Sequence, residues 1–214
     1  MPKEYVKKEG GHRKIGRRRR GEQKEELRLL ILQTASQMFL ELGYKDFSMR
    51  KLAERIGYSA ATLYLYYRNK DDLLFTVVDD AFVRFQRQLT SAAESSDDPW
   101  ERLDRLGEAY VLFGLNNPVY YQLMFMWRID YLLESRHEEE VPRIHAFQVL
   151  VDTVRYAIDQ GAMQPGDPKD YSDILWAVMH GIVVLAIQIP MFDEDRTMKL
   201  TAHAKQMIYK AFHQ

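Results

Sequence analysis

The stretch from Ser48 to Lys70 constrains the fold more than any other part of the chain, because its spacing is that of two short helices joined by a tight turn. Apolar residues recur at intervals of three and four, which places them on one face of a first helix: Met49, Leu52, Ala53 and Ile56. Ser48 is suited to cap the start of this helix. Gly57, which adopts positive φ readily, is suited to end it.

A second short helix is expected after the turn, with Ser59 as its N-cap. Its apolar period predicts two faces, with Ala60, Leu63, Tyr64 and Tyr67 packed inward and Ala61, Thr62, Leu65 and Tyr66 facing outward. Asn69 then caps a third helix, whose acidic first turn suits the positive end of the helix dipole. The pattern predicts a helix-turn-helix, and a generic helical hairpin is the alternative.

The sequence SMRKLAERIGYSAATLYLYYRNKDDLL resembles the DNA-binding segment of the tetracycline-repressor (TetR) family of bacterial transcription regulators. The resemblance covers roughly residues 25–75. It includes an amphipathic first helix that ends at Gly43 and has the apolar stripe Leu27, Ile31, Ala35, Met38 and Leu42. The family's usual glycine and phenylalanine in the second helix are Ala61 and Tyr67 here, which are mild departures. The resemblance implies a homodimeric regulator of transcription, most often a repressor, that binds double-stranded DNA.

The resemblance also implies which side chains lie near phosphates or bases: Ser48, Arg50, Thr62, Tyr64, Tyr66 and Lys70. The expected readers of base edges are Ala60, Ala61, Leu65 and Tyr66, whose methyl groups and rings suit thymine methyls better than bidentate hydrogen bonds. Tyr64 has a second interpretation as a core aromatic, because it lies on the expected inward face. Tyr66 and Lys70 are alternatively plain surface residues.

Charge is distributed unevenly along the chain, although the net charge is only −1. Residues 1–70 contain 17 Lys and Arg against 8 Asp and Glu, whereas residues 71–214 contain 13 against 23. Cationic side chains displace condensed counterions from DNA, so the first part is suited to a polyphosphate and the second is not. We therefore expect different partners for the two parts.

Residues 1–21 hold much of the basic charge, including Arg17, Arg18, Arg19 and Arg20, with few apolar residues. This composition predicts a segment that is disordered when the protein is free. One interpretation is an arm whose arginines enter a narrow minor groove. The other is a solvated tail that adds only non-specific affinity.

Helix signals continue to the end of the chain and predict an all-α fold of about nine helices. Helix starts are indicated at Asp98 with Pro99, Asn117 with Pro118, Pro142, and Asp167 with Pro168. The predicted organisation is a basic arm (1–21), a three-helix DNA-binding domain (22–72) and a helical effector-binding and dimerisation domain (73–214). Within the last domain, the resemblance implies a dimer bundle formed by helices at roughly 168–189 and 194–212.

The C-terminal domain is rich in large apolar side chains, which fits either a plain core or the wall of an effector cavity. Candidates for contact with a small apolar or aromatic effector are Phe85, Tyr110, Phe113, Met124, Phe125, Arg128 and Phe147. Trp176, His180 and Gly181 form a W-x-x-x-H-G pattern, which resembles a motif in a subset of the family. We expect Gly181 to permit a close helix approach. Trp176 and His180 are further candidate ligand contacts, and the alternative for His180 is a satisfied core histidine.

Other classes of protein find little support in the sequence. The absence of cysteine excludes disulfides and thiol chemistry. No nucleophile motif or phosphate loop indicates an enzyme, and we expect no cofactor or metal, since the cluster of His137, Glu138–Glu140 and His145 is better explained as a solvated loop. No membrane-spanning run or apolar leader is expected, which favours a cytoplasmic location. A helical interaction or carrier protein that has lost DNA binding is the remaining competitor.

Overall fold

The computed structural model describes the backbone of residues 11–126 and 142–214, and side chains from residue 21 onward within these ranges. Its elements are α1 (Gly11–Asp46), α2 (Met49–Ile56), α3 (Ala60–Tyr64), α4 (Lys70–Ala93), α5 (Pro99–Asn116), α6 (Pro118–Tyr121), a π-helical turn (Gln122–Met126), α7 (Pro142–Asp159), α8 (Pro168–Gln188) and α9 (Glu194–Phe212). The prediction of an all-α fold is confirmed, with nine α-helices in the described part of the chain.

Side-chain caps start several of these helices where the sequence predicts them. Ser48 Oγ accepts a hydrogen bond from the Lys51 amide at 3.2 Å, and Ser59 Oγ accepts one from Thr62 at 3.1 Å. Gly57 ends α2 with φ 74°. The helix start predicted at Asn117 with Pro118 is observed, because α6 begins at Pro118, but the Asn117 side chain caps no amide of α6 and its Nδ2 donates back to the Phe113 carbonyl at 3.0 Å.

Helix α1 differs from the sequence expectation at both ends. Its backbone is helical from Gly11, where the composition predicts a disordered segment up to residue 21. Arg, Lys, Gln and Glu are good helix formers, and extending an existing helix requires no new nucleation, which explains the longer helix. Gly43 has φ 72° and ψ 169°, so the regular helix is interrupted there as predicted, although helical turns resume up to Asp46.

The chain divides into two compact units, Met1–Leu74 and Phe75–Gln214. The core of the first unit joins α1, α2 and α3, and its fully buried side chains include Ile31, Leu52 and Leu63. Phe39 stacks on Phe47 with ring centroids 3.9 Å apart, which fixes the end of α1 against the segment before α2. This core holds the helix-turn-helix together.

In the second unit, α8 packs against α5, α7 and α9. The closest approach occurs at Gly114 of α5, where an added Cβ would lie 2.3 Å from Val183 Cγ1. Within the chain no helix approaches Gly181 closely, since an added Cβ there would meet nothing within 4 Å, and the close approach of a helix from a second copy stays a prediction. Gly181 is on the exposed side of α8.

Helix α8 is also, among the described residues, the helix long and apolar enough to cross a membrane by length and composition alone. No such segment is expected from the sequence, but an 18-residue window of α8 has a mean hydropathy of 1.4. Only 28% of that window is buried in the chain. Because α8 packs against three helices of its own unit, its apolar content is weak evidence for a membrane span.

Candidate nucleic-acid interface and effector cavity

The second helix of the helix-turn-helix presents a more aromatic surface than the apolar period predicts. Leu63 and Tyr67 are buried as expected, but Tyr64 is 53% exposed, so its predicted inward position is wrong. The reason is that α3 has only five residues and tightens at its end, where the Leu65 amide bonds to the Thr62 carbonyl at 3.2 Å. Leu65, at 82% exposure, lies beside Tyr64 on the open surface.

The other residues predicted to contact DNA have varied surroundings in the first unit. Arg50 is largely exposed, with its Nε 3.0 Å from Glu54 Oε1. Thr62 Oγ1 lies 2.8 Å from the Ser59 hydroxyl. Ala61 is exposed, whereas Ser48, Ala60 and Tyr66 are half-buried. Arg17–Arg20 fall on the helical backbone of α1, and their side chains lie outside the described residues.

Lys70 is held by Tyr44, a partner that sequence reasoning missed. The Lys70 ammonium donates to the Tyr44 carbonyl at 3.1 Å and lies 3.9 Å from the centroid of the Tyr44 ring. The Tyr44 hydroxyl in turn donates to Asp71. These contacts fix the ammonium at the start of α4 while leaving it further N–H donors.

A shallow groove next to Leu65 also escaped the sequence analysis. Its lining comes from α1, from the turn after α2 and from the end of α3: Gln23, Lys24, Glu26, Leu27, Leu30, Tyr58, Leu65 and Tyr66. Leu30 and Tyr58 are 40% and 46% exposed. Leu30 is an apolar residue outside the stripe predicted for α1, and this is the sequence signal that would have indicated it.

The second unit contains a cavity of about 380 Å³ with mainly apolar walls. Its described lining residues are Phe82, Phe85, Leu89, Leu106, Tyr110, Met124, Phe125, Arg143, Ile144, Ala146, Phe147, Leu150, Asp173 and Trp176. Six sequence candidates are among them: Phe85, Tyr110, Met124, Phe125, Phe147 and Trp176. Phe113 is instead buried behind Phe85, with ring centroids 4.8 Å apart, and Arg128 lies outside the described residues.

A chain of hydrogen bonds connects two residues of the cavity wall, Tyr110 and Trp176, with Tyr121 and His180, which are not in the described lining. Trp176 Nε1 donates to the Tyr110 hydroxyl at 3.0 Å, which lies 2.8 Å from the Tyr121 hydroxyl, and the latter lies 2.7 Å from His180 Nδ1. Burial raises the pKa of both tyrosines and lowers the pKa of His180, so all of these groups are neutral near pH 7. The geometry places His180 in this network and not in the described lining of the cavity.

Exposed apolar side chains are concentrated on α8, on α9 and on the segment between them. The largest are Ile174, Trp176, Leu185, Ile189, Met191, Met207 and Tyr209. Ile174, Gly181 and Leu185 are spaced seven and four residues apart, which places them on one face of α8. We call this face the α8 stripe.

The metal-like cluster falls mainly outside the described residues, which exclude His137 and Glu138–Glu140. His145 is exposed at the start of α7. Among the residues that the structure describes, no group of three or more His, Cys, Asp or Glu is placed to hold a metal ion.

A helix-turn-helix with an exposed second helix defines a DNA-binding protein, and the comparisons identify its family. Residues 31–77 match the family described as bacterial regulatory proteins of the tetR family, and residues 103–205 match the tetracyclin repressor-like C-terminal domain. The chain belongs to the TetR family, and it is a DNA-binding transcriptional regulator, not an enzyme. Membership of the W-x-x-x-H-G subset stays a prediction.

Two relatives and one solved structure illustrate the likeness. The transcriptional activator FasR of Mycolicibacterium smegmatis is 28% identical over 138 residues, which is 64% of this chain and 62% of FasR, so the match spans less than two thirds of that relative. The uncharacterized regulator YfiR of Bacillus subtilis is 26% identical over 82% of this chain and 85% of its own. The fatty acid degradation regulator FadR of Bacillus halodurans superposes with a TM-score of 0.72 at 18% identity, covering 84% of this chain and 93% of that chain.

Proposed function

We propose that the protein is a cytoplasmic homodimeric repressor that a small apolar ligand releases from a palindromic operator. The observation that carries this proposal is the 380 Å³ cavity in the second unit, since a plain core would be packed without a void of this size. Transcription regulators of this family bind DNA and typically act as dimers with small-molecule effectors. The cavity gives this chain a place for such an effector.

The proposed DNA-reading surface is centred on Tyr64 and Leu65, which are the most exposed large hydrophobic side chains of the helix-turn-helix. Together with Ala61 they offer methyl groups and a ring to base edges, and these suit thymine methyls. Arg50 and Lys70 are proposed phosphate contacts, which position the unit without specifying sequence.

The basic N-terminal segment is proposed to add affinity through phosphate contacts. Deleting residues 1–20 removes nine Lys and Arg and two Glu. We expect lower operator affinity and a shallower dependence of log Kd on log salt concentration, because fewer counterions are released on binding. A salt titration followed by fluorescence anisotropy measures both quantities. Equal affinity and slope for the truncated and full-length proteins would refute the role of this segment.

Dimerisation is proposed to use the α8 stripe and the exposed side chains of α9. Apolar surface of this extent is expected to be covered by another protein surface, and a second copy of the chain offers the same surface through a two-fold axis. Two recognition helices spaced about 34–36 Å apart would then read half-sites one DNA turn apart.

Release by the ligand requires only a difference in affinity between two conformations. One conformation has its recognition helices too far apart or too close together for the operator. If a ligand binds this conformation more tightly than the other by about 1.4 kcal/mol, it shifts the equilibrium tenfold toward it. Helix α4 supplies the covalent connection, because it begins at Lys70 in the first unit and contributes Phe82, Phe85 and Leu89 to the cavity.

The test uses an operator selected from a random-sequence DNA library and a library of apolar compounds screened by thermal shift. We expect any compound that raises the melting temperature through the cavity to weaken operator binding at least tenfold in an anisotropy assay. The matched control is Phe85→Trp, which fills the cavity and should abolish both effects of the compound. Stabilisation without any change in operator affinity would refute the coupling.

Activation of transcription is the second candidate, and the name of the relative FasR, a transcriptional activator, favours it. Transcription in vitro from a promoter containing the selected operator discriminates the two. A repressor lowers transcript yield when added, whereas an activator raises it.

A further inference from the structure

Among the residues that the structure describes, the deep wall of the cavity has no free polar side chain to offer a ligand. Tyr110 is the hydroxyl-bearing residue of the described lining, and its oxygen already accepts from Trp176 Nε1 and is bonded to Tyr121. The Trp176 N–H is therefore used as well. The Tyr121 hydroxyl lies 2.7 Å from His180 Nδ1, which completes the chain of hydrogen bonds. The described polar side chains of this wall are therefore hydrogen-bonded to one another.

Burial divides the lining into a deep part and a rim. The deep part comes from α4, α5 and the π-helical turn, and Phe85, Leu89 and Met124 are each at most 3% exposed. The rim comes from the first turn of α7 and the second turn of α8, where Ile144 is 40% exposed and Asp173 is exposed. The two charged residues of the described lining, Arg143 and Asp173, are both at the rim.

The two rim charges are not equivalent toward a ligand. Arg143 is half-buried and Asp173 is exposed, so water screens Asp173 more strongly. Among the described residues, neither side chain forms a hydrogen bond or ion pair, and the Arg143 guanidinium is the cationic group of the described lining. A guanidinium with a partly desolvated position prefers a carboxylate or another anion.

We propose that the ligand is an amphipathic molecule with a single anionic group. Its hydrocarbon end lies in the deep part of the cavity and its anionic group lies at Arg143. This inference deepens the proposed function and rests on it for the biological role of the cavity. At about 30 Å³ per methylene-sized group, the cavity holds roughly a dozen such groups. Dodecanoate is therefore a suitable probe of the class.

The orientation is tested with four probes of equal chain length: dodecanoate, dodecan-1-ol, dodecylamine and 12-hydroxydodecanoate. Isothermal titration calorimetry on the full chain should give the tightest binding for dodecanoate. The hydroxyl at the far end of 12-hydroxydodecanoate should weaken binding by about 10- to 100-fold, because it enters a wall whose described polar side chains are already hydrogen-bonded to one another. Equal binding of these two carboxylates, or no binding of dodecanoate, would overturn the proposal.

Two variants separate the two ends of the ligand. Arg143→Gln should remove the preference for dodecanoate over dodecan-1-ol and leave the alcohol's affinity unchanged. Tyr110→Phe frees the Trp176 N–H beside the cavity, so the penalty for the distal hydroxyl should shrink, an effect that a merely structural role of Tyr110 would not produce. Tighter binding of dodecylamine than of dodecanoate would mean that Asp173 binds the charged group of the ligand, and it would refute the proposal of an anionic ligand.

The same probes keep this inference distinct from the proposed function. If the four probes bind in the expected order of affinity but dodecanoate leaves operator affinity unchanged, the proposed ligand class is supported and the proposed release of DNA by the ligand is refuted. If another compound releases the operator while dodecanoate does not bind, the ligand class fails alone.

Discussion

Replacing Gly181 by glutamate should make the protein monomeric in solution and weaken binding to a palindromic operator by about 100-fold or more. The substitution places a carboxylate in the middle of the α8 stripe, where a dimer would bury it without a partner. An added Cβ at this position meets nothing within 4 Å, so the fold of the monomer should be preserved. A monomer loses the effective concentration of its second recognition helix, which is worth a factor of about 10² to 10⁴.

Sedimentation velocity measures the oligomeric state of the Gly181→Glu variant, and anisotropy with one-half-site and two-half-site DNA measures affinity. The Gly181→Glu substitution should weaken binding only to the DNA duplex that carries two half-sites. Gln148→Glu introduces the same charge at an exposed position of α7 and should leave the dimer and both affinities unchanged. A Gly181→Glu protein that remains dimeric would exclude the α8 stripe as the subunit contact.

The α2 helix was predictable from sequence because each of its determinants is local. Ser48, the apolar period and Gly57 lie within ten residues, and their effects are the observed cap, the buried face and the left-handed end. Tyr64 was not predictable in the same way. Its exposure depends on where α3 stops being regular, and an apolar period of a few residues does not determine that point.

The cavity shows a similar limit at the level of tertiary structure. Aromatic content of α4, α5 and the region around Phe125 indicated much of the wall, because a small set of large apolar residues must meet in the second unit. Arg143 and Asp173 gave no such signal. They become rim residues only because the first turn of α7 and the second turn of α8 meet at the cavity, which depends on non-local packing. The same is true of Gly114, whose importance depends on the distance between α5 and α8.

That distance leads to the largest expected effect on stability. Gly114→Ala would place a Cβ 2.3 Å from Cγ1 and 3.1 Å from Cγ2 of Val183. Valine is β-branched and stiff about χ1, so relief requires movement of α5 against α8, and we expect a loss of about 2–3 kcal/mol in the free energy of unfolding. Thermal denaturation followed by circular dichroism should show a melting temperature lower by about 5–10 °C.

Gly107→Ala is the matched control for Gly114→Ala, since both glycines are buried in α5. At Gly107 the added Cβ would meet the flexible end of Met179, with its Cε at 3.4 Å, so the substitution should be neutral or stabilise by up to about 1 kcal/mol through helix propensity. Val183→Ala should offset part of the Gly114→Ala loss, and the double-mutant cycle measures this coupling. Equal melting temperatures for the Gly114→Ala and Gly107→Ala proteins would mean that α5 and α8 do not meet at Gly114, and the packing that brings Tyr110 of α5 within hydrogen-bond distance of Trp176 of α8 would need another explanation.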